Sequence, residues 1–102
     1  MVSRRTKACD ISSFSRAVVK ERDGNKCIFC ERTSRLTIAH YIGRGNGGLG
    51  IPENLACACF DCHEQLDHGM HRNEYRQVFK AYLDQHYPNF PDSERIYNKW
   101  RH

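Results

Sequence analysis

No run of about 18 apolar residues occurs in the chain, and its basic start, Met1-Val2-Ser3-Arg4-Arg5-Thr6-Lys7, leads into no apolar stretch of signal-peptide length. A soluble, cytoplasmic protein with no membrane partner is expected. Hydrophobic residues are scarce, 39% of 102 against 27% charged. A single domain of this size buries only about 60 to 70% of the surface its unfolded chain exposes, so its core needs a staple. Internal repeats are lacking. Charge of one sign is not in large excess either: 16 Lys and Arg face 12 Asp and Glu, a net +4 that is ordinary for solubility. The cations are nevertheless concentrated before residue 45, and such clustering points to a polyanion more than the total does.

Cysteine is the residue type in surplus. In a reducing compartment six cysteines read as metal ligands or thiols rather than disulfides. Two C-x-x-C pairs, Cys27/Cys30 and Cys59/Cys62, supply the four soft ligands that a closed tetrahedral structural Zn²⁺ site requires. The segment 31–58 between them is longer than the about 15 to 20 residues of a short zinc ribbon, so something is inserted. A redox dithiol would need one pair in a βαβ unit, which the pattern lacks. Cys57, two residues before Cys59 and on the same strand face, is an alternative ligand.

Along the chain, residues 1–10 are basic and aperiodic and are expected to be a flexible arm. Asp10 or Ser12 caps a helix over about 12–22, with Ile11, Phe14 and Val18 at helical spacing, Ala17 on their flank and Gly24 as its stop. Leu36 to Ile42 alternates as a strand, and Leu55 to Ala58 pairs back onto it. Between them Gly43, Gly45, Gly47, Gly48 and Gly50 demand a loop. No Gly-Lys-Ser/Thr ending and no long helix follow, which excludes a P-loop. A helical turn or two runs from His63 to His68. Asn73 caps a stronger helix, with Tyr75, Val78, Phe79, Tyr82, Leu83 and His86 at helical spacing up to Pro88. A final helix from Ser93 presents Ile96, Tyr97 and Trp100.

Ala39-His40-Tyr41-Ile42, Gly47-Gly48, Asn54-Leu55 and Cys59-x-x-Cys62-His63, in that order between the zinc knuckles, resemble the HNH nuclease family over residues 23–70. The resemblance implies an α+β fold with a ββα-metal (His-Me finger) core, stapled by the four-cysteine zinc site and flanked by an N-terminal helix and a C-terminal helical extension over 71–102. It implies a DNA phosphodiester hydrolase of the small phage type. In that family's scheme His40 is the general base, Asn54 holds the base across the glycine loop, and His63 ligates a catalytic divalent cation. The chemistry is consistent with this: a neutral imidazole suits proton abstraction near pH 7, and a cation offsets charge at the scissile phosphate.

One position departs from the pattern. Many family members carry Asp, Glu or His just before the base, as a cation ligand, and here that position is Ala39. Asp67, one helical turn after His63, faces the same side and is the expected replacement, with His68 and His71 as alternatives. Mg²⁺ or Mn²⁺ suits a carboxylate-rich shell, while more nitrogen favours Mn²⁺, Ni²⁺ or Zn²⁺. Arg44, just after the strand, is expected to contact a phosphate beside the scissile one. No recognition helix is evident, so low sequence specificity is expected. The alternative function is a catalytically impaired, zinc-ribbon-like module that binds DNA or serves phage assembly, with packaging proteins as partners.

Overall fold

The protein's architecture is taken from a computed structural model that describes residues 3–98. Among these residues four helices surround one two-stranded sheet: α1 Arg4–Cys9, α2 Ser13–Asp23, β1 Leu36–His40, β2 Leu55–Cys59, α3 Phe60–His68 and α4 Arg72–His86. Single 3-10 turns at Arg44–Asn46, Pro52–Asn54 and Asp92–Arg95 fill the connections. It is a small α+β fold. The strands are antiparallel, with Leu36 opposite Cys59, Ala39 opposite Ala56 and His40 opposite Leu55. Among the described residues no helix is long and apolar enough to cross a membrane.

The sheet separates two thin apolar layers. Toward α3 and α4 it presents Ala39, Ala56 and Ala58, whose small side chains let Leu66, Phe79 and Leu83 approach closely, and Tyr41, just after β1, packs its ring edge-on against Phe79 in the same layer. On the other side Ile38, Leu55 and Cys57 pack against Val19 of α2. Period-two alternation thus sends Ala39, Ala56 and Ala58 to one helix layer and Ile38, Leu55 and Cys57 to the other. Asp23, at the end of α2, is buried and accepts from Arg22 Nε, the backbone N–H of Cys57 and the Tyr82 hydroxyl, joining α2 to β2 and α4.

Local signals set most boundaries. Ser12 caps α2 by accepting from the Ser15 N–H at 3.0 Å, and Gly24, at φ +70°, closes it in the left-handed region. α4 ends at His86, two residues before Pro88.

Three expectations are corrected. Instead of an irregular arm, Arg4–Cys9 is helical because Ser3 caps it, accepting from the Thr6 N–H at 3.1 Å, and Cys9 is buried at its end. The inward face of α2 is Ser15, Val19 and Asp23, while Phe14 is 75% exposed. Here the buried face is mostly polar, so apolar spacing misidentifies it. The expected last helix is only the 3-10 turn Asp92–Arg95. Buried Arg95 donates to the carbonyls of Glu53 and Phe90, which draws the chain back so that Ile96 bridges Gly48. Trp100 lies outside the described residues.

Candidate active site and metal centre

The two C-x-x-C knuckles converge. The sulfurs of Cys27, Cys30, Cys59 and Cys62 all lie within 4.8 Å of one another, and Cys30 Sγ stands 3.6 Å from Cys59 Sγ. A tetrahedral site with Zn–S of about 2.3 Å places its sulfurs about 3.8 Å apart, so the cluster fits that ion. Its electrostatics agree. Burial opposes ionisation of Cys27, but the backbone N–H groups of Cys59, Cys30 and Phe29 outweigh it and bring the thiol down to about 7. Burial, then the neighbouring sulfurs, push Cys62 strongly up. Four thiolates at this spacing need a cation among them.

Cys57 is not in the cluster. It packs in the apolar layer with Val19, and burial, helped by Asp23, pushes its thiol up to about 11. Cys59 departs from the strand's alternation because it is also the cap of α3, its sulfur accepting from the Cys62 N–H at 3.4 Å. The sulfur cluster therefore fixes the first turn of α3, and with it His63, the residue after Cys62.

A hydrogen-bond chain orients His63. The Thr37 hydroxyl donates to the Ala58 carbonyl at 2.7 Å, and its oxygen lies 2.7 Å from His63 Nδ1. A hydroxyl has one proton, so with that proton on Ala58 the oxygen accepts from Nδ1–H, and in the neutral ring Nε2 is then the nitrogen with the lone pair. Nε2 stands 3.3 Å from Asp67 Oδ2. An imidazole lone pair and a carboxylate oxygen at that distance repel unless a proton or cation lies between them. This pair, one nitrogen and one oxygen donor, fits a divalent cation. His68 and His71 are both exposed, and His71 is engaged by Glu74 at 3.1 Å.

His40 is fixed in the opposite sense. Its Nε2 lies 2.9 Å from the Cys9 carbonyl, which can only accept, so Nε2 carries the proton and Nδ1 is the free acceptor. Burial chiefly lowers its pKa from the ordinary value, with Arg44 and His63 adding to the effect against the Cys9 bond. The ring is therefore neutral near pH 7. His40 and Asp67 line one groove of about 330 Å³ together with Leu66, Arg72, Asn73 and Arg76. Ala39 is fully buried under α3 and α4 and offers nothing to an ion.

Asn54 is fully buried and does not line the groove. Its Oδ1 accepts from the Ile42 N–H at 2.9 Å, and its Nδ2 donates to the carbonyls of Ile42 at 3.1 Å and Leu49 at 2.9 Å. It thus ties the two ends of the glycine loop together just beyond His40. Within the loop, a Cβ on Gly48 would lie 1.6 Å from the Ile42 carbonyl oxygen, so only glycine fits. Arg44 is half-exposed and turned inward, donating to the Cys9 carbonyl at 3.0 Å and pairing with Asp10.

Sequence reasoning overlooked Thr37, Arg72 and Arg76. Thr37 sits two residues before Ala39 on the same strand face, a period-two signal, and the arginines are spaced by one helical turn.

No protein-family model matches the chain, and no curated protein matches it. Among solved structures, the fold is similar to part of the Type IV phosphorothioation-dependent restriction endonuclease ScoMcrA. The two chains are 19% identical, with a TM-score of 0.63 over 74% of this chain. The match takes in 16% of the length of that protein, so what the two share is the architecture of one small α+β unit.

Proposed function

We propose that this chain is a single-domain, zinc-stapled endonuclease of the HNH type, with a ββα-metal core, that hydrolyses DNA phosphodiester bonds. The carrying observation is the geometry of the two rings: His40 Nε2 lies 2.9 Å from the Cys9 carbonyl, which leaves Nδ1 to take a proton, and His63 has Nδ1 2.7 Å from the Thr37 hydroxyl and Nε2 3.3 Å from Asp67. The fold likeness to a restriction endonuclease supports the reading.

The roles follow from the donor atoms. His40 accepts the proton of the attacking water at Nδ1, and the Cys9 carbonyl steadies the imidazolium that results. His63 and Asp67 would hold a Mg²⁺ or Mn²⁺ cation, which would supply positive charge to offset that of the scissile phosphate and leaving oxygen. Asn54 is a positioning residue that keeps the loop, and through it the end of β1, in place. Cys27, Cys30, Cys59 and Cys62 hold structural Zn²⁺, which sets the first turn of α3. Arg44, half-exposed beside His40, exchanges Asp10 for a substrate phosphate.

Incubation with supercoiled plasmid and Mg²⁺ or Mn²⁺ tests this: nicked or linear product is expected, and His40→Ala should lose it while keeping fold and zinc. Equal cleavage by the two proteins would sink the assignment. A second reading, a DNA-binding module without chemistry, is favoured only by the buried methyl of Ala39. It predicts binding with no cleavage under any cation.

A further inference from the structure

We propose that the flank of α4 carrying Arg72, Arg76 and Lys80 is the track on which the DNA phosphate backbone lies as it enters the groove, resting on the nuclease reading for the groove's role. The three residues are spaced by four, so they form one stripe along the helix. Arg72 and Arg76 line the groove with His40 and Asp67. A second concavity continues it past Tyr41, Asn73 and Arg76 to Lys80 and Asp84. Tyr41, Asn73 and Arg76 belong to both, which makes the path continuous.

Arg76 is preorganised. Its Nη1 donates to the Tyr41 carbonyl at 2.7 Å, and its guanidinium lies 4.6 Å over the Tyr41 ring. The remaining N–H donors of the fork stay available for phosphate oxygens, the geometry at which arginine binds them well. Arg72 is exposed and, among the described residues, has no ion-pair partner. Lys80 is paired with Asp84 at 2.8 Å, so it is the weakest grip and marks the end of the track. By contrast, much of the cationic surplus before residue 45 is spent internally: Arg5 on the carbonyl of Gly45, Arg22 on Asp23, Arg32 on Asp61 and Arg44 on Asp10. An unpaired cation beside the groove gains more from a phosphate than one that must first leave a carboxylate.

The test is fluorescence anisotropy of a labelled DNA duplex against salt, using zinc-loaded full-length protein in a His40→Ala background to stop turnover. Each phosphate contact contributes about one to the slope of log affinity against log salt. Arg72→Gln should lower that slope by about one and Arg72→Gln with Arg76→Gln by about two, whereas Arg16→Gln with Lys20→Gln, on the exposed face of α2, should leave it unchanged. Among the described residues the Arg72 side chain makes no hydrogen bond or ion pair whose loss endangers folding, so it decides the matter even if the double variant is unstable. An unchanged slope for Arg72→Gln, an equal loss from the α2 variants, or no DNA binding by the background protein overturns the track. If the slopes fall as expected but protein with His40 intact cleaves nothing under any cation, the nuclease reading fails and the track stands. Cleavage with unchanged slopes gives the reverse.

Discussion

His40 Nε2 donates to the main-chain carbonyl of Cys9 across 2.9 Å, tying the last residue of β1 to the last residue of α1. The short N-terminal helix therefore helps to hold the proposed base in place. Gly50 holds it there: its N–H donates to the Ala8 carbonyl at 3.0 Å, and a Cβ would lie 2.1 Å from the Asp10 carbonyl oxygen. Gly50→Ala should push this segment away and let water reach His40. Burial lowers the His40 pKa, so the unprotonated, active form persists below the ordinary value near 6.5, and activity is lost only as pH falls further. In the variant the acid limb of kcat/KM should move up toward about 6.5. An unmoved limb in a folded variant would show that α1 does not tune the base. The same sign governs stability, because the unfolded chain binds the His40 proton first and native stability falls as pH drops below that value.

Thr37→Val tests the orientation of His63. Valine matches the shape but removes the oxygen that accepts from Nδ1–H, so the ring is free to protonate Nε2. Loss of a partner behind a ligating histidine typically weakens metal binding by about 10- to 100-fold. Titration calorimetry with Mn²⁺ should show this with one zinc retained, and affinity within a factor of about two would count against the tautomer argument.

Asp67→Ala should raise the Mg²⁺ concentration needed for half-maximal cleavage by at least about tenfold, since a hard cation loses its carboxylate. His68→Ala should leave it unchanged, because His68 is exposed and it is Asp67 that meets His63 Nε2. The opposite ranking would assign the second ligand to His68.

Much of the site is legible in the sequence because its parts are spaced by periodicities that survive folding. The knuckle cysteines repeat at i and i+3, His63 and Asp67 sit one helical turn apart, and the strand pairing follows from alternation around a glycine loop. What sequence hid depends on main-chain atoms and on buried polar groups. The Cys9 carbonyl has no side-chain signature, so an aperiodic basic segment concealed a helix that holds His40. The inward face of α2 contains Ser15 and Asp23, which hydropathy reads as outward. Arg95 is fully buried yet looks like a surface cation in a polar tail. Arg44 shows the converse: its position beside the site was readable, but its pairing with Asp10 was not, since that partner is brought close only by α1.

Cys57→Ala separates the two cysteines that strand alternation could not. Because Cys57 packs against Val19 away from the sulfur cluster, the variant should keep about one equivalent of zinc and lose about 1 kcal/mol of stability from the smaller side chain. Cys30→Ser should lose both metal and fold, since site formation and folding are coupled. Zinc content by atomic emission and thermal unfolding read the two effects. Loss of zinc in Cys57→Ala would move that residue into the site.

Asn54 makes the sharpest stability test, because its amide uses both ends. Asn54→Ala leaves the Ile42 N–H and the carbonyls of Ile42 and Leu49 without their partner inside a closed loop, at about 1 to 3 kcal/mol for each group that water does not reach. A sum of at least about 3 kcal/mol is a large share of the about 5 to 15 kcal/mol that holds a small domain together. Asn54→Asp has the same shape and keeps the acceptor for Ile42 N–H, but it sets a carboxylate oxygen against two carbonyls where the amide donated. Near neutral pH it should therefore be no more stable than the alanine variant. Burial and those carbonyls favour the protonated acid, whose folded pKa is then raised above the unfolded value, so stability returns as pH falls toward the raised pKa. Thermal unfolding at about pH 7 and about pH 5 should show Asn54→Asp gaining on Asn54→Ala at the lower value. If the two variants keep the same order and spacing at both, the amide is not the clasp of the glycine loop.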